Sequence, residues 1–311
     1  GYNGKDTTGR LGYQISESLY AYCNVKYFDG KKYEPLRSTD PVSPPSDVWN
    51  IYERGAIDLT LDYKTDNFKT ILKTYRNFGE HEFSDGRHSK DYTNGIKLES
   101  VFFNIGNHIL TTGLEYKKQG GERISLPEGN WDKEDFSVYV FDEFSMLEHL
   151  IISGGVRYNR DEIADDIFSY QAGALYKTSE KTSLRVNYAK GYRAPLINEL
   201  YLFPPSNTML KEEEIYNIEA GLRHDFSKFF SIDIVVFKME GDDLIELVSN
   251  PSPPPFMKFA NTGSFTFKGT ETTLYFNPCS WLKGMLSYST CLLYTSPSPR
   301  DLSTSRMPSS A

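Results

Sequence analysis

From Ala56 to Tyr63 the chain alternates without a break: Ile57, Leu59, Leu61 and Tyr63 fall on one parity, Asp58, Thr60 and Asp62 on the other. Successive side chains of an extended strand point to opposite faces, so this segment has one apolar and one strongly polar surface. The pattern returns at Leu19 to Tyr27, where Leu19, Ala21, Cys23 and Val25 share a face, and at Leu184 to Tyr188, where Arg185 and Asn187 face the other way. Ile218, Ala220 and Leu222 then oppose Asn217, Glu219 and Arg223, and Ile232, Ile234 and Val236 oppose Asp233; Phe68 to Phe78 is noisier. The 22 Tyr and 20 Phe suit half-buried pleated surfaces. Apolar runs such as Ile232 to Phe237 stop well short of the roughly 18 residues a membrane helix requires, which excludes a helical membrane protein.

The connections constrain the fold further, because short and long ones take turns. Short turns fall near residues 16–18, 65–67, 105–107, 146–149, 178–181, 227–229 and 277–281. Between them lie longer polar segments, near 29–47, 80–92, 119–134, 160–167, 192–212 and 241–263. This spacing predicts about 14 antiparallel strands in up-and-down order, with short turns at one end and long loops at the other, as in outer-membrane barrels. Lipid offers the backbone no hydrogen-bond partner, so a spanning sheet closes on itself and turns its apolar residues outward. A soluble sheet with one wet face shares the alternation but does not require the loop asymmetry. No repeat of 20 to 50 residues supports a propeller or solenoid.

The formal charge of −8 and the absence of a basic patch exclude nucleic acid as a partner. Cys23, Cys279 and Cys291 have neither metal-like spacing nor the density of a disulfide framework. His81, His88, His108, His149 and His224 are not paired at metal-ligand spacing, and no nucleophile motif is present, so neither a catalytic residue, a metal nor a cofactor is expected and the chain reads as no enzyme. Glu240 to Asp243 lacks the full calcium-loop pattern and reads as a turn. Asn250 to Pro255 reads as a stiff extended spacer. The chain opens at Gly1 without a signal-like series, which reads as a missing N-terminus.

Three segments, in order, resemble the TonB-dependent outer-membrane receptor family. Phe136 to Ser145, ending Asp142, Glu143, Phe144, is followed by Ile152 to Tyr158 with its Gly155, Arg157 and Tyr158. Gly191, Tyr192, Arg193, Ala194 and Pro195 precede Glu199, Leu200 and Tyr201, and Leu210 to Gly221 resembles the next strand. Asn261, Gly263, Gly269 and Glu271 resemble a late Asn-x-Gly and Gly-x-Glu strand. The likeness covers about Leu11 to Thr290 and is sharp from Phe136 onward. It departs where Glu replaces a common Pro within Lys211 to Glu214, and neither a plug domain nor a TonB box is present.

The resemblance implies an all-β fold: a transmembrane antiparallel up-and-down β-barrel, incomplete, with about 14 of about 22 strands. It implies active import of a scarce ligand, an iron-siderophore or cobalamin, across the outer membrane of a Gram-negative bacterium. The TonB complex would act through the missing N-terminal region, and outer-membrane lipid would surround the wall. A passive porin-like channel and a soluble β-rich binding protein are the alternatives. Arg193 and Glu199, where a strand rises into a long loop, are candidate ligand contacts. The resemblance favours a structural role for Gly191, Tyr192, Arg193, Ala194, Pro195, Glu199, Leu200 and Tyr201, with Tyr192 and Tyr201 as interfacial anchors. Residues 1–290 thus form a partial barrel. Cys291 to Ala311 resembles a translated sequencing adaptor and is expected to make no strand pairing; Arg300, Asp301 and Arg306 are its only charges, so the acidic balance belongs to the rest of the chain.

Overall fold

The computed structural model describes residues 1–33, 48–125, 129–163, 166–202, 205–250, 256–279 and 281–295. Its strands are β1 (Tyr2–Ser16), β2 (Leu19–Tyr33), β3 (Trp49–Lys64), β4 (Phe68–Phe83), β5 (His88–Ile105), β6 (His108–Arg123) and β7 (Asn130–Leu147). They continue as β8 (Leu150–Asp161), β9 (Ile167–Ser179), β10 (Thr182–Arg193), β11 (Glu213–Ser227), β12 (Phe230–Ser249), β13 (Met257–Cys279) and β14 (Leu282–Thr295). Each pairs antiparallel with its neighbours in sequence, giving one 14-stranded sheet in the order β1 to β14. Among the described residues β1 pairs only with β2 and β14 only with β13, so the sheet is unclosed.

Register carries the alternation across the whole sheet. Asn24, Asp58 and Tyr75 are cross-strand neighbours on one face, as are Glu115, Ser137 and Asn159, and further along Asn187 and Glu219. On the other face Ile57, Leu59, Leu114, Val138, Val140, Val156, Leu184, Val186 and Ile218 are exposed. Leu61, Leu222, Ile232 and Ile234 share that apolar face by register. The segment between β10 and β11 lies on the polar face and touches both β6 and β13, strands far apart in the sheet. Only a wall curved toward that segment allows this, so the polar face is the concave lumen and the apolar face is convex. Aromatic rings ring the convex face at the short-turn end, with Tyr63, Phe68 and Phe102 in succession and His108 stacked on Phe144 at 4.3 Å.

The wall has almost no apolar core. Of the described hydrophobic residues only Ile167, Ile197, Leu200, Leu202 and Leu210 are buried, and four of these belong to the segment between β10 and β11. The sheet is held by its backbone ladders and by polar bonds across the lumen face. Arg185 binds Asp233 through two nitrogens at 3.1 and 2.7 Å, and Asn187 donates to Glu219 at 2.8 Å. The Tyr139 ring lies over Gly113, where any Cβ would meet it, and its hydroxyl therefore reaches Glu99 on β5 at 2.6 Å. Arg157 ties β8 to Ser137 at 2.6 Å and to Glu115 at 2.8 Å.

Several expectations need correction. Residues 80–92 and 241–263 read as loops, yet β4 runs to Phe83, β5 begins at His88, β12 runs to Ser249 and β13 begins at Met257. Strands that continue beyond the membrane are wetted on both faces, so polarity there does not mark a loop. Glu240 to Asp243 is not a free turn: it lies within β12 at a register shift between Gly241 and Leu244, with Asp243 at φ +55°. Cys291 to Thr295 continues β14, pairing with Phe265 to Gly269 of β13, contrary to the expected unpaired tail. A ladder bonds through the backbone, so an open edge accepts almost any extended sequence. The expected spacer at Pro251 to Pro255 lies outside the described residues, as do most of the expected loop at 29–47 and residues 296–311.

Candidate functional site

Beyond Lys190 the β10 strand loses its β9 partner while keeping β11, and the chain turns into the lumen. Pro195 cannot donate to a ladder and ends the strand, and a π-helical turn follows at Asn198–Leu202. This inward strap, residues 194–202 and 205–212, is pinned at its start by Arg193. The guanidinium binds Glu213 through Nε at 2.6 Å and Nη2 at 2.7 Å, and Glu199 through Nη1 at 3.1 and 2.9 Å. Both carboxylates also cap backbone amides, Glu199 from Leu196 and Glu213 from Ile245, each at 2.8 Å. All three guanidinium nitrogens are thus committed within the protein.

The far end is fastened by Asn261. Its side chain accepts from the Lys211 amide at 2.8 Å and donates to the carbonyls of Lys211 and Asp243 at 3.0 and 2.7 Å. Asn207 donates to the Phe259 carbonyl at 2.8 Å, and the Phe259 amide donates to Pro205 at 2.8 Å. Between these fastenings Ile197 and Leu202 press on Gly121, where a Cβ would come within 2.7 and 2.9 Å of them. Tyr201 stacks on Trp131 of the lumen face at 5.3 Å, so it is no membrane anchor; burial and the nearby Glu162 carboxylate raise its hydroxyl pKa. The Tyr192 hydroxyl lies beside Arg157 and Asp135, also away from lipid.

On the lumen face of β7 and β8 lies a buried polar floor. Lys133 binds Asp161 at 2.8 Å with both side chains almost fully buried, while Ser137 and Asn159 are 1% exposed. Toward β3 to β5 the strap instead leaves a cavity of about 580 Å³. Arg54, His81, Phe83, Arg87 and Asp91 line the wall side, and Ile197, Leu202 and Phe259 the roof. Among the described residues no group of three or more His, Cys, Asp or Glu could hold a metal.

Sequence reasoning set Arg193 and Glu199 where a strand rises into a long loop, and missed Glu213 as the second carboxylate on Arg193 and Trp131, Gly121 and Asn261 as the other contacts of the strap. The one available signal was the apolar density of Leu196, Ile197, Leu200 and Leu202 inside a segment read as polar.

The family model for the β-barrel of TonB-dependent receptors matches residues 1–309. The chain belongs to the TonB-dependent receptors. These are transport receptors of the Gram-negative outer membrane and not an enzyme family. Among curated relatives, the vitamin B12 transporter BtuB of Vibrio vulnificus is 26% identical over 210 residues, covering 64% of this chain and 33% of that protein. BtuB of Photobacterium profundum is 21% identical over 266 residues, covering 81% and 42%. Among solved structures, the siderophore receptor PirA of Pseudomonas aeruginosa superposes with a TM-score of 0.79 at 15% identity, covering 94% of this chain and 55% of its own. The FrpB iron transporter of Neisseria meningitidis gives 0.74 at 15%, covering 94% and 53%. These likenesses establish the shared fold. The chain spans well under half the length of the two BtuB proteins and about half that of the solved receptor chains.

Proposed function

We propose that the receptor containing this chain imports a scarce ligand, an iron-siderophore or cobalamin, by TonB-coupled gating. The family match over residues 1–309 carries the reading. Ligand would be held at the long-loop end of the lumen, and force from TonB would act on an N-terminal plug outside this chain. Arg193 and Glu199 serve as the strap's anchor rather than as ligand contacts, because all three guanidinium nitrogens are turned to Glu199 and Glu213, and both Glu199 oxygens to Arg193 or the Leu196 amide. Residues 1–290 are receptor wall and 291–311 a non-native tail whose first five residues extend β14 at the open edge, which an independent clone read through that end would test.

The import reading is tested by expressing the intact receptor in matched cells with and without TonB and measuring uptake of radiolabelled cobalamin and ferric siderophores. Saturable uptake that disappears without TonB is expected. Uptake that rises linearly with concentration and ignores TonB would identify the passive channel instead.

A further inference from the structure

We propose that the cavity between the strap and β3 to β5 is the ligand-contact surface, and that it selects a ring-bearing ligand of little or no net charge. This rests on the import reading and narrows it.

Its wall is an aromatic ledge. The His81 ring stacks on Tyr52 at 4.0 Å and lies tilted against Phe83 at 3.9 Å, and the Arg87 guanidinium sits 4.4 Å over Phe83. These groups cover one another's faces and leave ring edges toward the cavity, which can meet a ligand ring edge-to-face, while Ile197, Leu202 and Phe259 close on the opposite side. The volume of about 580 Å³ falls in the range of small-molecule sites.

Charge sets the selectivity. The titratable groups lining the cavity are Arg54, His81, Arg87, Asp91 and the Tyr92 phenol. Arg54 is paired with Asp91, and Arg87 binds Asp85 through Nε and Nη2, both at 2.8 Å. His81 lies near the outer end of β4, above the membrane band; burial, then Arg54 and Arg87, push its pKa down to about 4, so the ring is neutral at physiological pH. Each cation therefore already has its carboxylate, and the whole chain carries −8. A polyanion entering here meets guanidinium groups whose charge Asp91 and Asp85 already offset, so it gains little net attraction, whereas a neutral ligand needs only ring contact and the N–H donors left over.

The test uses the intact receptor in outer-membrane vesicles and three probes: cyanocobalamin, a neutral ferric trihydroxamate and a trianionic ferric tris-catecholate. We expect a neutral probe to bind most tightly and Phe83→Ala to weaken it ten-fold or more. Phe83→Leu, which keeps the bulk, should lose affinity too, and barrel heat-modifiability on gels controls for folding. Asp91→Asn, which frees Arg54, should raise trianion affinity ten-fold or more relative to the neutral probe. Tightest binding of the trianion to the unaltered receptor overturns the charge selectivity and leaves import standing. A neutral probe indifferent to both Phe83 variants overturns the site. Binding of none of the three overturns the import reading along with it.

Discussion

At the scale of single residues, Arg193 shows how a loop on an open wall is held without a core. Replacing it with Ala leaves Glu199 and Glu213, both mostly buried, without their counter-ion. The expected cost is roughly 1–3 kcal/mol, between that of an exposed pair and a fully buried one. Limited proteolysis should then cut the strap while the barrel keeps its heat-modifiability; an uncut strap would mean the Asn261 end suffices alone. Asp243 is a second case, since its left-handed φ of +55° suits Asp, Asn or Gly and strains a β-branched residue. Asp243→Gly should be tolerated, and Asp243→Val should cost about 1–2 kcal/mol in chemical denaturation. His81 supplies the pH dependence. Its folded pKa of about 4 lies below the ordinary 6.5, so the unfolded cavity binds more protons between those values. The associated stability is complete above pH 6.5 and is lost as pH falls through 4. Histidine NMR of the labelled receptor should show His81 still neutral at about pH 5.5, and a charged ring at that pH would refute the assignment.

At the scale of elements, the strands were legible and their ends were not. Ala56 to Tyr63 announces β3 because one of its faces meets lipid, yet β3 extends back to Trp49 through Glu53 and Arg54, where both faces are wet and period-two hydrophobicity fades. The strap was illegible for a related reason: Ile197, Leu200 and Leu202 are buried against another part of the chain, and that contact has no local period. Gly121 is the element-scale test. Ala there meets Ile197 Cγ2 and both Leu202 methyls closely enough that these buried side chains must shift, and Gly121→Phe should lift the strap off the polar floor. In a cysteine-free background, Ser137→Cys should resist a water-soluble maleimide until Gly121→Phe is added, while Asn77→Cys on the same lumen face should label from the start. Rapid labelling at position 137 alone would show that the strap does not seal the floor.

At the scale of the whole molecule, two faces and two edges dictate behaviour. In the reconstituted receptor a water-soluble thiol reagent should modify cysteine at position 187 and spare it at position 186, since register places Asn187 in the lumen and Val186 toward lipid. The reverse pattern would remove the membrane reading, because a charge in mid-membrane costs roughly 2–4 kcal/mol for Arg or Lys. Produced alone, the 311-residue chain leaves the unpaired edges of β1 and β14 and a broad apolar convex face exposed, and it should sediment unless detergent is present. A monodisperse, detergent-free solution would contradict the assignment of that face to lipid.

The length of β13 carries a different consequence. Its 23 residues, at about 3.3 Å each, reach roughly 75 Å along the strand, whereas a tilted crossing of the membrane uses only about 10 residues. More than half of the β12–β13 hairpin therefore stands in the medium like a mast. A phage tail, an antibody or a toxin approaching the cell meets that projection before it meets the bilayer. Yet Phe259 and Asn261, which fasten the strap, lie within a few residues of the outer end of β13 at Met257, so this projection also carries the strap and its outer end must keep the residues that hold it.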